Sequence, residues 1–439
     1  MIGLLFPAED EVTTLVIGGI SILARQARQL RQAGATQLLI VDPEPLSEVP
    51  EGAEPISRAA LAQRVSPDVP VLAIAPGLII DERAITLVAG AAAPALLVSL
   101  ATPADVATAA PGTAPPGIER LDADTLAAGV MLVQGSLLRD VLGGLGEWDL
   151  ASTLLRTVAT DSRTTRLNFA RITLYSASRR RDVPLLWSRP TTPAEAAATT
   201  DELIAAAQKG VLDWPARFLH PLVEDPLVRL LAPTRITPNM VTLFGGVIGI
   251  GAGIALATGM LWLGLGLALL AGPLDGVDGK LARTRLEFSR WGDLEHVLDK
   301  ILEYGWYFCA AWCFSGVSGS ALPWAIAWLI ALPALVEAVQ GEFFRRMTGR
   351  QLDDAGPVER RIRLIAGRRN TFLWTWAGFA AAGFWFEGFV ALAVYSVVTT
   401  AVAQWRFYVR LLAYARDHGD RIAANYAATD YAFLPEAKL

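Results

Sequence analysis

Asp275–Lys300, DGVDGKLARTRLEFSRWGDLEHVLDK, begins inside one apolar run and ends inside the next. LWLGLGLALLAGPL (261–274) precedes it with no polar buffer, and ILEYGWYFCAAWCF (301–314) follows. Carboxylates at membrane depth are costly, so they face a polar cavity and are kept for a task. On helices, Asp275 and Asp278 lie at i,i+3 and Glu295 and Asp299 at i,i+4, so each pair shares a face. Two such faces turned together form an oxygen-rich cage suited to a hard divalent cation, Mg²⁺ or Mn²⁺. Such a cage suits phosphoryl chemistry, where metals stabilise attacking and leaving oxygens.

The same stretch resembles the CDP-alcohol phosphotransferase family, whose motif reads D-x2-D-G-x2-A-R-x8-G-x3-D-x3-D. Asp275, Asp278, Gly279, Ala282, Arg283 and Gly292 stand at its spacings. Counted strictly from Gly292, the last two acids fall on His296 and Lys300; a one-residue deletion restores an acid pair as Glu295 and Asp299. We adopt the deletion register, although a missing residue turns a helix by about 100°. The resemblance implies metal ligands Asp275, Asp278, Glu295 and Asp299, with Asp299 joining them or taking the acceptor's proton. It also implies that Gly279 and Ala282 leave room for a nucleotide and that Arg283 neutralises its diphosphate.

A chain of 439 residues has room for two or three domains. Mean hydropathy of +0.39 is high for a soluble enzyme, and the excess lies in the second half. A net charge of −5 gives no reason to expect a nucleic-acid partner. Cys309 and Cys313, one turn apart in an apolar run, read as small hydrophobes. MIGLLFPAEDEV has neither a basic n-region nor a continuous apolar core, so no cleaved signal is expected.

Residues 1–190 alternate strands with helices and predict an α/β domain with a mostly parallel, Rossmann-type sheet. VTTLVIGG reads as a strand, Ser21 as the cap of a helix ending near Gly34, and QLLIVDP, VPVLAIAP and PALLVSLA as further strands. Pro-rich stretches at 43–50 and 111–117 read as loops. Gly18–Asp42 resembles the part of a sugar-phosphate nucleotidyltransferase that follows its Gly-rich loop. That loop's place holds PAEDEV, acidic and without glycine, and the place of a metal-binding Asp reads Ala75-Pro76-Gly77. A nucleotidyltransferase-like domain that has lost catalysis is therefore expected. The run Arg179–Arg181 reads as solvated surface, and His220 as interfacial packing.

Residues 191–235 read as a linking helix stopped by Gly210, then a helix on the membrane surface whose apolar side runs from Trp214 to Leu231. From 236 to 439 an all-α domain of six transmembrane helices is expected, with apolar segments near 239–259, 261–284, 293–316, 321–345, 371–385 and 387–412. Gly245, Gly249 and Gly253 form a ladder of small residues that serves packing within the bundle or a homodimer. Arginines and lysines crowd the second-to-third and fourth-to-fifth connections and avoid the opposite turns. By the positive-inside rule the first domain and the acids are cytoplasmic, in an inner-membrane protein. These arginines set topology and meet lipid headgroups; Arg361, Arg368 and Arg369 are the candidates for binding a substrate phosphate. Glu337 and Glu342 read as lining the same cavity or reaching out of the membrane.

The implied function is transfer of a substituted phosphate from a CDP-linked alcohol donor to an acceptor alcohol, lipid or polyol phosphate, releasing CMP in phospholipid biosynthesis. Two other classes fit intramembrane acids: a non-catalytic CDP- or lipid-binding descendant, and an ion-coupled six-helix transporter.

Overall fold

The structure, a computed structural model, describes residues 1–8, 12, 14–43, 49–100, 118–288 and 292–417, with the backbone alone for 292–298 and 417. The Pro-rich loop expected at 111–117, most of the one at 43–50 and the acidic centre of PAEDEV lie outside the described residues.

Seven strands form the first sheet: β1 Ile2–Leu5, β2 Gln37–Val41, β3 Ala53–Ile56, β4 Pro70–Ile74, β5 Ala95–Leu100, β6 Thr125–Gln134 and β7 Thr165–Asn168. Their order is β7-β5-β6-β4-β1-β2-β3. All neighbours pair in parallel except β6, which runs antiparallel between β4 and β5. Buried strands alternate sides: Val71 and Ala73 of β4 join one core, Leu72 and Ile74 the other. Helices α1 (Ile22–Gln32) and α3 (Glu82–Ala89) cover one face. Helices α2 (Arg58–Arg64), α4 (Gly135–Gly144) and α5 (Leu150–Thr160) cover the other. The α/β expectation holds, and so does the cap: Ser21 Oγ accepts from the Ala24 amide.

VTTLVIGG does not become a sheet strand. Gly18 and Gly19 take φ of 58° and 86°, which reverses the chain after Val16–Ile17 into a two-residue ribbon with Ile20–Ser21. At Gly19 the left-handed backbone lies so close to the Ala232 carbonyl that a Cβ would collide with it. Strand β6, TLAAGVMLVQ, escaped the sequence reading because a strand buried on both faces shows no alternation, and Ala127–Gly129 interrupts its run of large apolar residues.

The linker forms α6 (Pro193–Ala207), opened by a capping box between Thr192 and Glu195 and ended short of Gly210. The surface helix divides into α7 (Trp214–Phe218) and α8 (Pro221–Leu231), since Pro221 carries no amide to continue the first. Its apolar side chains Phe218, Leu222 and Leu230 point outward, while His220 and Glu224 are buried. A membrane-bound element inverts the soluble pattern in this way.

Six helices fill the expected apolar segments: α9 Pro238–Ala257, α10 Leu261–Arg285, α11 Gly292–Ser318 and α12 Leu322–Thr348, then, after the short α13 (Pro357–Ile365), α14 Arg369–Ala381 and α15 Trp385–Asp417. Among the described residues four of them, α9, α10, α12 and α15, are long and apolar enough to cross a membrane. Helix α14 has only 13 residues, below the ~20 that a bilayer core requires. Leu243, Phe244, Val247, Ile250 and Ile254 expose one side of α9, as lipid-facing residues do, and the helical half is integral to the membrane. The glycine ladder is used inside the chain: Gly249 faces Leu302 and Trp306, and Gly253 faces Cys309. Both cysteines are free and half-buried, as expected of small hydrophobes.

Candidate active site

Helix α10 changes character along its length, apolar from Leu261 and acidic and basic after Leu274. Asp275 and Asp278 therefore stand on its last turns, and Leu286 ends it in the left-handed region at φ 56°. Thr237 caps α9 and Pro238 opens it, which places Thr242 one turn in, facing α10. Thr242 Oγ1 donates to Asp278 Oδ2 at 2.7 Å. Asp299 arrives on α11, which approaches α9 closely because Gly249 has no side chain; Trp306 Nε1 donates to the Gly249 carbonyl at 2.7 Å. Asp275, Asp278 and Asp299 thus line one small cavity of about 20 Å³, room for one ion or water.

Arg369 Nη2, at the start of α14, donates to Asp275 Oδ2 at 2.5 Å. The Asp275 and Asp299 carboxyls lie within hydrogen-bonding reach of one another. Two carboxylates that close need a proton or a cation between them. The donor set is all oxygen and hard, so it fits Mg²⁺ or Mn²⁺. Among the described residues no three acidic, histidine or cysteine side chains converge as a complete ligand set. Asp275 is held by Arg369 and Asp278 by Thr242. The Glu295 side chain, expected to be the fourth ligand, and that of its rival His296 lie outside the described residues.

Beside this pocket opens a cavity of about 380 Å³, which Asp275 and Asp299 also line. Gly279 lines it, and a Cβ there would come within 3.1 Å of the Arg283 guanidinium. Arg283 lines it too, anchored by Nε to the Ala207 carbonyl at 2.7 Å. Ala282 is half-buried and does not border it. Of the three phosphate candidates, Arg368 and Arg369 line the cavity, whereas Arg361 is exposed and outside it. Two residues along α13, about 200° round the helix, Arg363 faces inward instead. Glu337 and Glu342 border a different cavity of about 270 Å³, where Glu342 is taken by Arg345 and Arg346.

The wall opposite the acids is polar and buried. Gly272 and Gly276, one turn apart on α10, admit His220, the residue before α8, and Glu224 of α8; a Cβ on Gly276 would collide with the Glu224 carboxylate. Lys280 Nζ bonds Glu224 at 2.8 Å and Asp225 at 2.5 Å, and His220 Nδ1 lies 3.5 Å from Glu224. His220 is thus part of a buried charged network rather than interfacial packing.

The basic run Arg179–Arg181 is no solvated surface either. Arg180 reaches the membrane half, pairing with Asp353 at 3.1 Å, and Arg181 donates to the Gln208 carbonyl at 2.8 Å and to that of Ala205 at 2.6 Å. Tyr175 donates to Asp354 across the same junction. Arg180 and Lys209 both line the large cavity. In the sequence Lys209 shows only as a charge beside a glycine stop, and Arg180 only as the middle of a basic run.

A model of the CDP-alcohol phosphatidyltransferase family matches residues 235–402. This region belongs to that family. The bifunctional IPC transferase and DIPP synthase of Thermococcus kodakarensis is 27% identical to the chain over 189 residues, 42% of this chain and 41% of the relative. The chain thus spans less than half the length of the curated relative that it matches. Two crystal structures of Mycobacterium tuberculosis phosphatidylinositol phosphate synthase, one with CDP-DAG bound and one with manganese and citrate, are 18% and 21% identical. They cover 43% and 42% of this chain and 94% and 89% of theirs, with TM-scores of 0.35 and 0.33. The region matched by the family model begins just after α8, and Asp275, Asp278, Glu295 and Asp299 lie within it.

Proposed function

We propose that the chain transfers a substituted phosphate from a CDP-linked alcohol to an acceptor hydroxyl in phospholipid biosynthesis. The observation that carries this reading is that Asp275, Asp278 and Asp299, from two helices, line one small pocket, and Asp275 and Asp299 also line a large basic cavity beside it. The acceptor oxygen attacks the phosphorus that bears the donor's alcohol, and the bond from that phosphorus to CMP breaks. CMP leaves with the bridging oxygen, and the acceptor's proton passes to Asp299, a carboxylate within reach of the pocket. Gly279 gives the nucleotide room against α10, and Arg283 meets diphosphate charge. Asp275, Asp278 and Asp299, with Glu295 in the deletion register, would hold Mg²⁺ or Mn²⁺. Bound there, the ion offsets the charge that builds on the phosphoryl oxygens. The acids face the cytoplasm, on the side rich in arginine. The acceptor is a lipid or a polyol phosphate.

The first domain serves as a scaffold rather than a nucleotidyltransferase. Where a metal-binding acid would stand, the Ala75–Leu78 turn is tied to α1 by Gln26 Nε2, which donates to the Ala75 and Leu78 carbonyls at 3.0 and 2.8 Å.

Purified full-length protein, offered a panel of CDP-alcohols and acceptors with Mg²⁺ or Mn²⁺, is expected to release CMP and to stop on chelation. Asp275→Asn, Asp278→Asn, Asp299→Asn and Glu295→Gln abolish release, and His296→Ala spares it. A folded protein that binds CDP yet releases no CMP with any pair would favour a non-catalytic binding protein.

A further inference from the structure

The large cavity collects more positive charge than its walls neutralise. Most of its cations have acid partners: Lys280 with Glu224, Lys300 with Glu303, Arg363 with Asp353, Arg369 with Asp275 and Arg180 with Asp353. Three do not. Among the described residues Lys209 makes neither a hydrogen bond nor an ion pair, and Arg283 bonds only the Ala207 carbonyl. Among the described residues Arg368 makes no ion pair, and its Nε is buried without a hydrogen bond. Lys209 and Arg283 are near enough to repel one another, and the acids that also act on Lys209, Asp275 and Asp278, are already held by Arg369 and Thr242. Like charges held together out of water are costly unless an anion joins them.

Lys209 is also held in place. Gly210, next to it, donates its amide to the Arg179 carbonyl at 2.8 Å, and a Cβ on Gly210 would come within 2.7 Å of the Arg180 carbonyl. On its other side the Gln208 carbonyl accepts from Arg181. Arg180 itself adopts φ 54°, a left-handed conformation that non-glycine residues take only when their surroundings impose it. The turn at 179–181 therefore clamps both neighbours of Lys209 and leaves its side chain in the cavity that Asp275 and Asp299 line. A pre-positioned ammonium loses little entropy on meeting a ligand.

We propose that Lys209, which lies ahead of the matched family region, binds phosphate oxygens of the phosphorylated substrate together with Arg283 and Arg368. The inference rests on the transferase reading and assigns part of its binding site to the linker and the first domain that clamps it. The ligand class is a nucleoside diphosphate carrying two or more negative charges, which three cations match.

The test measures equilibrium binding of CDP and of cytidine to the full-length protein by calorimetry, with no acceptor present. Lys209→Gln is expected to weaken CDP about 10- to 100-fold, the worth of one charged hydrogen bond, and to leave cytidine unchanged. Lys209→Arg restores most of the affinity. In turnover, Lys209→Gln raises KM for a phosphate-bearing substrate more than it lowers kcat. Arg181→Met, which loosens the clamp and leaves the cavity's charges in place, weakens CDP by a smaller factor. CDP binding by folded Lys209→Gln at wild-type strength overturns the proposal. Should that variant not fold, equal CDP affinity in Lys209→Met and Lys209→Arg overturns it as well. Wild-type protein that binds CDP through Lys209 but never releases CMP would refute the transferase reading and leave this assignment standing.

Discussion

Asp278 is 5% exposed, and its Oδ2 is oriented by a hydroxyl on a neighbouring helix. Groups that orient a metal ligand are worth about 10- to 100-fold in affinity. Thr242→Val keeps the shape and removes the hydroxyl. It is expected to raise the divalent-ion concentration for half-maximal CMP release by about 10- to 100-fold while the protein stays folded. An unchanged metal dependence would show that Asp278 does not depend on Thr242. Arg369 has a double part at this scale. Its bond to Asp275 offsets a carboxylate beside another carboxylate, and its position at the head of α14 ties the acids to the cavity's basic wall.

At the scale of the helix, α10 is organised by glycine on one face and charge at one end. Gly272 and Gly276 bring α8 close enough for Lys280 to sit between Glu224 and Asp225, with Lys280 only 2% exposed. Breaking a buried pair costs about 3–5 kcal/mol, because a charge is left without compensation. Lys280→Met is expected to lower stability by roughly that amount, read from thermal unfolding in detergent. Lys280→Met with Glu224→Gln recovers much of the loss, since no buried charge then remains alone. Equal destabilisation in the single and double variants would assign the loss to packing instead. The C-terminal carbonyls of α10 are satisfied from another domain: Arg25 donates to the Thr284 carbonyl and Arg28 to that of Arg285 at 2.6 Å. Burial and the nearby Arg28 lower the Arg25 pKa to about 10, so it stays charged at neutral pH and complements the negative end of the helix.

Across the whole molecule, the first domain grips the membrane half at the end of α10 and at residues 349–354. Asp353 is central to the second grip, pairing with Arg180 and Arg363 at 3.1 Å each. Burial pushes its carboxyl up, but the neighbouring arginines outweigh that and hold it below the ordinary aspartate value. A depressed pKa in the folded state contributes stability that is complete above the unfolded value, about 3.9, and is lost as pH falls through the lower folded value. Hydrogen exchange at 175–182 and 349–354 is therefore expected to stay protected from pH 7 to about 5 and to rise only below about 4. Asp353→Asn removes that acid step and loosens both segments at neutral pH. Protection lost already near pH 6 would point to another group.

What the sequence by itself determined is local and chemical. The run of apolar segments specified a membrane half, and the spacing of Asp275, Asp278, Gly279 and Arg283 set them on neighbouring turns of one helix, because hydrophobic periodicity and fixed spacing on a helix are written within one element. The α/β alternation of the first domain was legible for the same reason, while the doubly buried strand β6 and the Gly18–Gly19 reversal were not. Only the tertiary structure decided which charges meet. Arg363 rather than Arg361 faces the cavity, His220 joins a buried ion network, and Lys209 and Arg180 reach a site whose acids lie some 65 or more residues further along the chain. A charge carries no record of its partner in the sequence. Its pairing is set by burial, which makes solvation unaffordable and leaves contact with another charged group as the way to keep it.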